Sequence, residues 1–211
     1  MKKILAIFVL VSIFASCKKS FITIKPESTA SVDDVYKTDK DFHDAVVAMY
    51  ATLRNQYQDF WIFGDLRADD SWHALGNDAF LVSVNTFSMS SSANLMISSW
   101  RNYYTMINRA NMILSKIEGL DALPNKDQYV AEAKFMRAFA YFDMVRIWGD
   151  VPLITNPISI AEGYKAKREK AATIYSQLII PDMLDAETKL PAKYGGADVG
   201  RPTKGAATAM L

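Results

Sequence analysis

The chain has 211 residues, of which 50% are hydrophobic and 22% are charged. These proportions are typical of a folded globular protein and exclude a disordered chain or a multi-span membrane protein. Lysine and arginine together number 24, and aspartate and glutamate 23, so the charge is nearly balanced. Because phosphate recognition needs concentrated positive charge, this balance argues against a nucleic-acid-binding protein.

The first sixteen residues have the layout of an export signal. Lys2 and Lys3 precede the apolar run 4–15, which ends in small residues just before Cys17. The run is too short for a membrane-spanning helix, which needs roughly 20 residues. Cys17 is the only cysteine, so it cannot form an internal disulfide and is idle, paired with another chain, or chemically modified.

The segment FASC, residues 14–17, resembles the lipobox of bacterial lipoproteins, with phenylalanine where leucine is usual. The resemblance implies that the signal 1–16 is cleaved and that Cys17 carries acyl chains such as palmitate. Each buried methylene contributes about 0.8 kcal/mol, so several chains on one residue give a stable anchor. The alternative is an ordinary secretory signal followed by a chance cysteine. We expect residues 17–38 to form the lipid anchor and an extended tether.

From residue 39 onward the apolar residues recur at the three-and-four spacing of helices. The predicted helices cover 39–57, 100–117, the segment between Asn125 and Gly149, about 168–189, and a last segment that begins after Thr203. Residues 151–154 are predicted to be extended, and 58–93 to be irregular. This pattern predicts an all-α fold of helix pairs.

Several residues mark the helix ends and a predicted kink. Thr38 with Asp41, and Asn125 with Gln128, have the spacing of capping boxes. Pro181 lies inside the helix predicted at 168–189, where it removes a backbone donor and favours a kink. The helix after Asn125 is apolar almost all round, which predicts burial between neighbouring helices.

Residues 39–211 are predicted to form one helical domain in which each pair needs the next to bury its open face. Because the chain stops within the helix-forming run 206–211, we expect it to be truncated partway through this array. Aromatic residues at helical spacing are predicted to pack in the core: Trp100, Tyr103, Tyr104, Phe135, Phe139, Phe142 and Trp148. Polar residues on these helices are interpreted as a hydrogen-bonded network that fixes helix register: Asn108, Arg109, Asn111, Glu132 and Arg137.

Six short motifs follow one another along the helical part of the chain: WRNYY (100–104), NRAN (108–111), AEAKFMRA (131–138), GDVPL (149–153), PDML (181–184) and GRPTKGAA (200–207). In this order they resemble the SusD/RagB family of glycan-binding outer-membrane lipoproteins. The resemblance covers 17–211 and the N-terminal portion of family members. It implies tetratricopeptide-like helix pairs, a saccharide-binding face, and a SusC-like TonB-dependent β-barrel transporter over which the protein sits as a hinged lid.

The irregular segment contains a pattern suited to sugar binding. In such sites an aromatic face covers the apolar C–H surface of a pyranose ring, while polar side chains bond its hydroxyls. Residues 64–77 combine these types within a long loop, which is often functional. The candidate glycan-binding residues are Trp72, Asn77, Arg67, Asp69 and His73. The alternative is that Trp72 packs the loop onto the helices and the carboxylates cap helix ends.

We therefore expect a lipid-anchored outer-membrane protein of the cell surface that captures oligosaccharide or polysaccharide and passes it to the transporter for nutrient uptake. Catalysis has little sequence support, because His43 and His73 are the only histidines and no zinc-like cluster appears. No enzyme, cofactor or metal site is predicted. Two alternatives remain: a helical-repeat scaffold lipoprotein of the envelope, and a surface glycoside hydrolase using Asp69 and Asp70, whose adjacency does not establish the spacing this chemistry needs.

Overall fold

The computed structural model describes residues 35–68, 71–72 and 78–211. The predicted signal peptide, Cys17 and the tether as far as residue 34 lie outside the described residues. Residues Tyr36–Leu211 group into one compact unit. Among the described helices, none has the length and apolar content that crossing a membrane requires.

The described chain is mainly helical, which confirms the predicted all-α class. The helices are α1 (Asp39–Phe60), α2 (Ala79–Asn85), α3 (Asn94–Ile117), α4 (Lys126–Trp148), α5 (Ile160–Gly163), α6 (Ala171–Ile174), α7 (Ile180–Lys189) and α8 (Lys204–Met210). Shorter elements are the π-helical turns Trp61–Asp65 and Tyr175–Ile179, the 3₁₀ turn Gly196–Asp198, and the antiparallel strands β1 (Val151–Pro152) and β2 (Arg168–Glu169).

Helix α4 is central and packs against α1, α3 and α7. Its buried residues lie on nearly every side, as its all-round apolar sequence predicts. Ala131, Ala133, Ala138 and Ala140 are fully buried, and their small side chains let the neighbouring helices approach closely. The predicted core aromatics of α3 and α4 are buried or packed against this core, and burying one such large side chain contributes about 1.5–3 kcal/mol.

The predicted capping box at the start of α1 is confirmed, and the one before α4 is wrong. Thr38 Oγ1 accepts a hydrogen bond from the Asp41 amide, and Asp41 Oδ2 accepts one from the Thr38 amide. The Asn125 side chain makes no capping bond, because it donates instead to the Asp39 carboxylate of α1 at 3.1 Å. The tertiary partner thus replaces the local one.

The helix predicted at 168–189 begins later and is not a single α-helix. Arg168 and Glu169 form β2, which pairs with the extended residues after α4, so the chain becomes helical only at Ala171. Pro181 lies in the first turn of α7, directly after a π-helical turn. A proline is tolerated at this position because its missing N–H has no α-helical partner there.

The prediction that 58–93 is irregular is wrong in part. The π-helical turn continues the first helix as far as Asp65, and α2 occupies Ala79–Asn85. Asp78 caps α2, since its Oδ1 accepts the amides of Phe80 and Leu81 at 3.0 and 3.2 Å.

The predicted polar network is confirmed at Asn111 and Arg137, which join α3 and α4 to α7. Arg137 donates from Nε and Nη2 to the Asp182 carboxylate at 2.8 and 3.0 Å. Its Nη1 donates to Asn111 Oδ1 at 2.7 Å. The Asn111 amide then donates to the Ile154 carbonyl at 3.0 Å. Fork-shaped charged bonding of this kind fixes both distance and orientation between helices.

Glu132 is the centre of a second buried polar cluster, between α1, α4 and the segment before α8. The fully buried Glu132 carboxylate accepts hydrogen bonds from the Tyr50 hydroxyl at 2.7 Å, the Tyr194 hydroxyl at 3.2 Å and Arg201 Nη1 at 3.3 Å. Arg109, another predicted member of the network, donates to the Ala48 carbonyl of α1. These bonds hold the helices in register, as the sequence analysis predicted.

Candidate functional site

The chain that follows the π-helical turn Trp61–Asp65 is hydrogen-bonded to α2 at two points. Asn85 Nδ2 donates to the carbonyl of Leu66 at 2.7 Å and to that of Ser71 at 3.2 Å. Leu66 is also buried against α2. The backbone that carries Arg67 and leads to Trp72 is therefore positioned by a helix that the sequence analysis did not predict.

A cavity of about 330 Å³ lies beside this turn. The residues that line it include aromatic rings and charged groups from α1, α3, α4 and the segments around α2: Asp59, Phe60, Phe63, Arg67, Phe87, Tyr103, Asp143 and Arg146. This volume is at the lower end of the range for small-molecule sites. The cavity thus combines apolar rings and ionisable groups in a space suited to a small ligand or to one unit of a larger one.

Arg67 is half-buried at the edge of this cavity, between two aromatic rings. Its guanidinium carbon lies 4.8 Å from the centre of the Phe87 ring and 5.9 Å from that of Phe63. Burial lowers the pKa of Arg67, yet an arginine stays protonated at neutral pH because its ordinary pKa exceeds 12. The rings therefore hold a permanent positive charge beside the cavity.

Phe87 adopts a backbone conformation that large side chains rarely take. It follows α2 with φ of 56°, in the left-handed region where glycine is usual. Its amide bonds to the Val84 carbonyl, and the Ser88 amide bonds to that of Ser83, which together form a Schellman motif. A phenylalanine thus occupies the glycine position of this motif, with its ring 65% exposed at the cavity.

Two carboxylates face the cavity from nearly buried positions, Asp59 at 4% exposure and Asp143 at 8%. Asp143 accepts hydrogen bonds from the Tyr103 hydroxyl at 3.2 Å and from Arg146 Nη1 at 3.3 Å. Asp59 accepts one from the Ser99 hydroxyl. Burial raises the pKa of Asp143 to about 6 and also raises that of Asp59, because these bonds do not replace the hydration lost.

Two of the predicted glycan-binding residues can be placed. Arg67 lines the cavity, whereas Trp72 is 68% exposed and is not among the residues that line it. This exposure does not fit the alternative in which Trp72 packs the loop onto the helices. Asp69, His73 and Asn77 lie outside the described residues. The binding role of all five residues stays a prediction.

Asp59 and Asp143 were not identified from the sequence, although a signal was present. The buried face of α1 continues at helical spacing through Thr52, Gln56 and Asp59, so polar residues replace apolar ones on a face that stays buried. Asp143 likewise interrupts the apolar surface of α4. Polar residues on a core-facing stripe indicate a polar interior site. Within 35–68, 71–72 and 78–211, no group of three or more His, Cys, Asp or Glu side chains is arranged to hold a metal ion.

Comparison with known proteins identifies similar chains. SusD-like protein P25 of Formosa agariphila is 29% identical over 97% of this chain and 40% of its own length. A surface glycan-binding protein A from Bacteroides fluxus is 25% identical with a TM-score of 0.70, over 82% of this chain and 38% of that protein. A laminarin-binding SusD-like protein is 26% identical with a TM-score of 0.70, over 83% and 39%.

The chain therefore spans about two fifths of the length of the curated relatives it matches. A family model described as "Starch-binding associating with outer membrane" matches residues 20–211, nearly the whole chain. The similar solved structures share the helical fold over most of this chain. The resemblance predicted from the sequence motifs is thus confirmed, and the chain belongs to the SusD-like family.

Proposed function

We propose that the protein is a glycan-binding lipoprotein of the outer membrane, anchored at the cell surface through Cys17. In this proposal it captures oligosaccharide at the face formed by Arg67 and Trp72 and passes it to a TonB-dependent transporter. It binds glycan without cleaving it. Asp69, His73 and Asn77 are proposed to complete the face.

The exposed Trp72 indole carries this proposal. A tryptophan is highly buried on average, so an exposure of 68% requires another reason for this ring. The backbone beside it is held in place by Asn85 of α2. A sugar ring offers an apolar C–H face that matches an indole, and Arg67 supplies donors for hydroxyl groups. The names of two similar structures, surface glycan-binding and laminarin-binding, support the same assignment.

The test is affinity electrophoresis of the full chain through gels containing starch, laminarin or other neutral glycans. Trp72→Ala should weaken retardation about tenfold or more, because stacking of an aromatic ring on a sugar contributes a large part of such binding. Tyr57→Ala is the matched control, since Tyr57 is an aromatic of 81% exposure that does not line the cavity. Unfolding curves of both variants should match that of the wild type. Equal retardation of the Trp72 variant would remove this residue from the site.

The anchor, partner and absence of catalysis need a separate measurement. The natively lipidated protein is isolated in mild detergent, and chains that co-purify are identified by mass spectrometry. Near-equal recovery of a TonB-dependent barrel supports the uptake role, whereas recovery of other envelope proteins together with no glycan binding supports the scaffold alternative. Release of shorter sugars from saturating glycan by the purified protein would establish the hydrolase instead.

A further inference from the structure

The cavity beside Arg67 contains carboxylate oxygens that the described residues leave partly without hydrogen-bond donors. Asp59 is only 4% exposed. Among the described residues, the Ser99 hydroxyl is the one donor to its carboxylate. Asp143 receives two bonds, and both are longer than the 2.7–2.9 Å typical of charged hydrogen bonds. Ionised carboxylates accept up to about four hydrogen bonds, so this pair has capacity for donors from a ligand.

Phe87 supplies an exposed aromatic ring to the same cavity. Phe87 keeps a left-handed backbone at a position where glycine avoids the strain. Strain of this kind is retained mainly at functional sites. Here its result is a ring that lines the cavity while remaining largely exposed.

The chemistry of the lining favours an uncharged polyol ring over other small ligands. An apolar ring face fits against Phe87 or Phe63, and the hydroxyls at the ring edge are hydrogen-bond donors that two carboxylates accept. The lining carries two carboxylates and two guanidinium groups, so its formal charge is balanced and gives no net attraction for the carboxylate or sulfate of an acidic sugar. The volume of about 330 Å³ limits the occupant to a single sugar unit.

We propose that this cavity is a subsite for one neutral sugar ring of the bound glycan, with Phe87 as its apolar platform and Asp59 and Asp143 as acceptors for adjacent hydroxyl groups. The inference rests on the proposed glycan-binding function and adds a charge selectivity to it. The subsite is distinct from the exposed Trp72 contact, since Trp72 does not line the cavity.

The subsite makes glycan affinity depend on pH. Asp143 is faced by Asp59 from α1, Tyr103 from α3, Arg146 from its own helix and Arg67 from the turn after α1. Burial raises the pKa of Asp143 to about 6, so its carboxylate is ionised at pH 7.5 and largely protonated at pH 5. A protonated carboxyl accepts hydroxyl donors less well. Affinity for a neutral glycan should therefore fall as the pH falls through about 6.

The experiment compares binding of maltoheptaose and laminarihexaose to the full chain by calorimetry at pH 7.5 and pH 5. With whichever of these the wild type binds, Asp143→Asn should lower affinity about tenfold at pH 7.5, because a hydrogen bond to a charged acceptor is lost. The variant should also show a smaller change of affinity between the two pH values, because residue 143 no longer titrates. Asp65→Asn is the matched control, since this nearby exposed carboxylate does not line the cavity. Phe87→Ala should weaken binding at both pH values.

The outcomes separate this subsite from the proposed function. Wild-type binding that Trp72→Ala weakens, but that Asp143→Asn and Phe87→Ala leave unchanged, overturns the subsite and leaves the glycan-binding function standing. Tighter binding of an acid-bearing oligosaccharide, such as a trigalacturonate, than of either neutral glycan overturns the charge selectivity and the subsite with it. Failure of the wild type to bind any glycan overturns both proposals.

Discussion

The protein buries two aspartates to the same depth and pairs them differently. Asp182, 6% exposed, receives two charged hydrogen bonds of 2.8 and 3.0 Å from the Arg137 fork. Asp143, 8% exposed, receives single bonds of 3.2 and 3.3 Å from two different residues and faces a cavity. The comparison shows that depth of burial does not indicate the role of a carboxylate. Both carboxylates accept two hydrogen bonds, and they differ in the length of those bonds and in their surroundings. One guanidinium holds Asp182 between helices, whereas Asp143 faces the cavity that we propose binds a sugar.

The largest effect is expected at the short, two-fold bond between Arg137 and Asp182. Arg137→Ala leaves the Asp182 carboxylate and the Asn111 amide oxygen without their buried donor, which should lower the unfolding free energy by about 3–5 kcal/mol. Urea unfolding followed by circular dichroism measures this, with the exposed Arg54→Ala as control. The double variant Arg137→Met, Asp182→Leu should regain most of the loss, because an apolar pair can replace a buried ion pair. A loss no larger than that of Arg54→Ala would contradict the structural role.

An intermediate effect is expected at Asp143, with a characteristic pH dependence. Its pKa is about 6 in the folded protein and 3.8 ordinarily, so the folded state holds this proton more tightly than the unfolded chain. Folding stability should therefore fall as the pH rises from about 4 to about 6, by about 3 kcal/mol from this group. Asp143→Asn cannot ionise and should lack this fall. The difference between the two urea-unfolding profiles across pH 4–7 measures it, and parallel profiles would show that Asp143 is adequately paired.

The smallest effect tests the strain at Phe87. Both Phe87→Gly and Phe87→Ala remove the ring from Arg67, but only glycine relieves the left-handed backbone. The glycine variant should therefore be more stable than the alanine variant by about 1 kcal/mol. At an ordinary helical position the order is the reverse, so thermal unfolding of the two variants distinguishes the cases by sign. A more stable alanine variant would show that the site is unstrained.

The sequence predicted those parts of the fold that depend on local spacing. Apolar residues at helical spacing predict α3 and α4, and the spacing of Thr38 and Asp41 predicts a capping box. Each of these signals depends only on residues that are close together in the sequence. Helix α2 was missed, although Asp78 directly before an apolar segment is a helix-start signal. Aromatics scattered among polar residues in this region hid the helical period.

The cavity could not be predicted from the sequence in the same way. Asp59 and Asp143 are 84 positions apart, and only the packing of α1 on α4 brings both to one cavity. The pairing of Arg137 with Asp182 depends in the same way on the packing of α4 against α7. The residue types on the helices indicated a polar interior, but the partners were set by tertiary geometry.

The π-helical turn Trp61–Asp65 has a consequence for how the loop can vary. A π-helical turn is equivalent to one residue inserted into an α-helix, and each α-helical residue turns the chain by about 100°. Deleting one residue between Trp61 and Asp65 would therefore rotate the Arg67 turn about the helix axis, while Phe42, Val46 and Met49 keep their places in the core. The number of residues in this turn therefore sets the direction in which the binding loop points, while the helical scaffold stays unchanged.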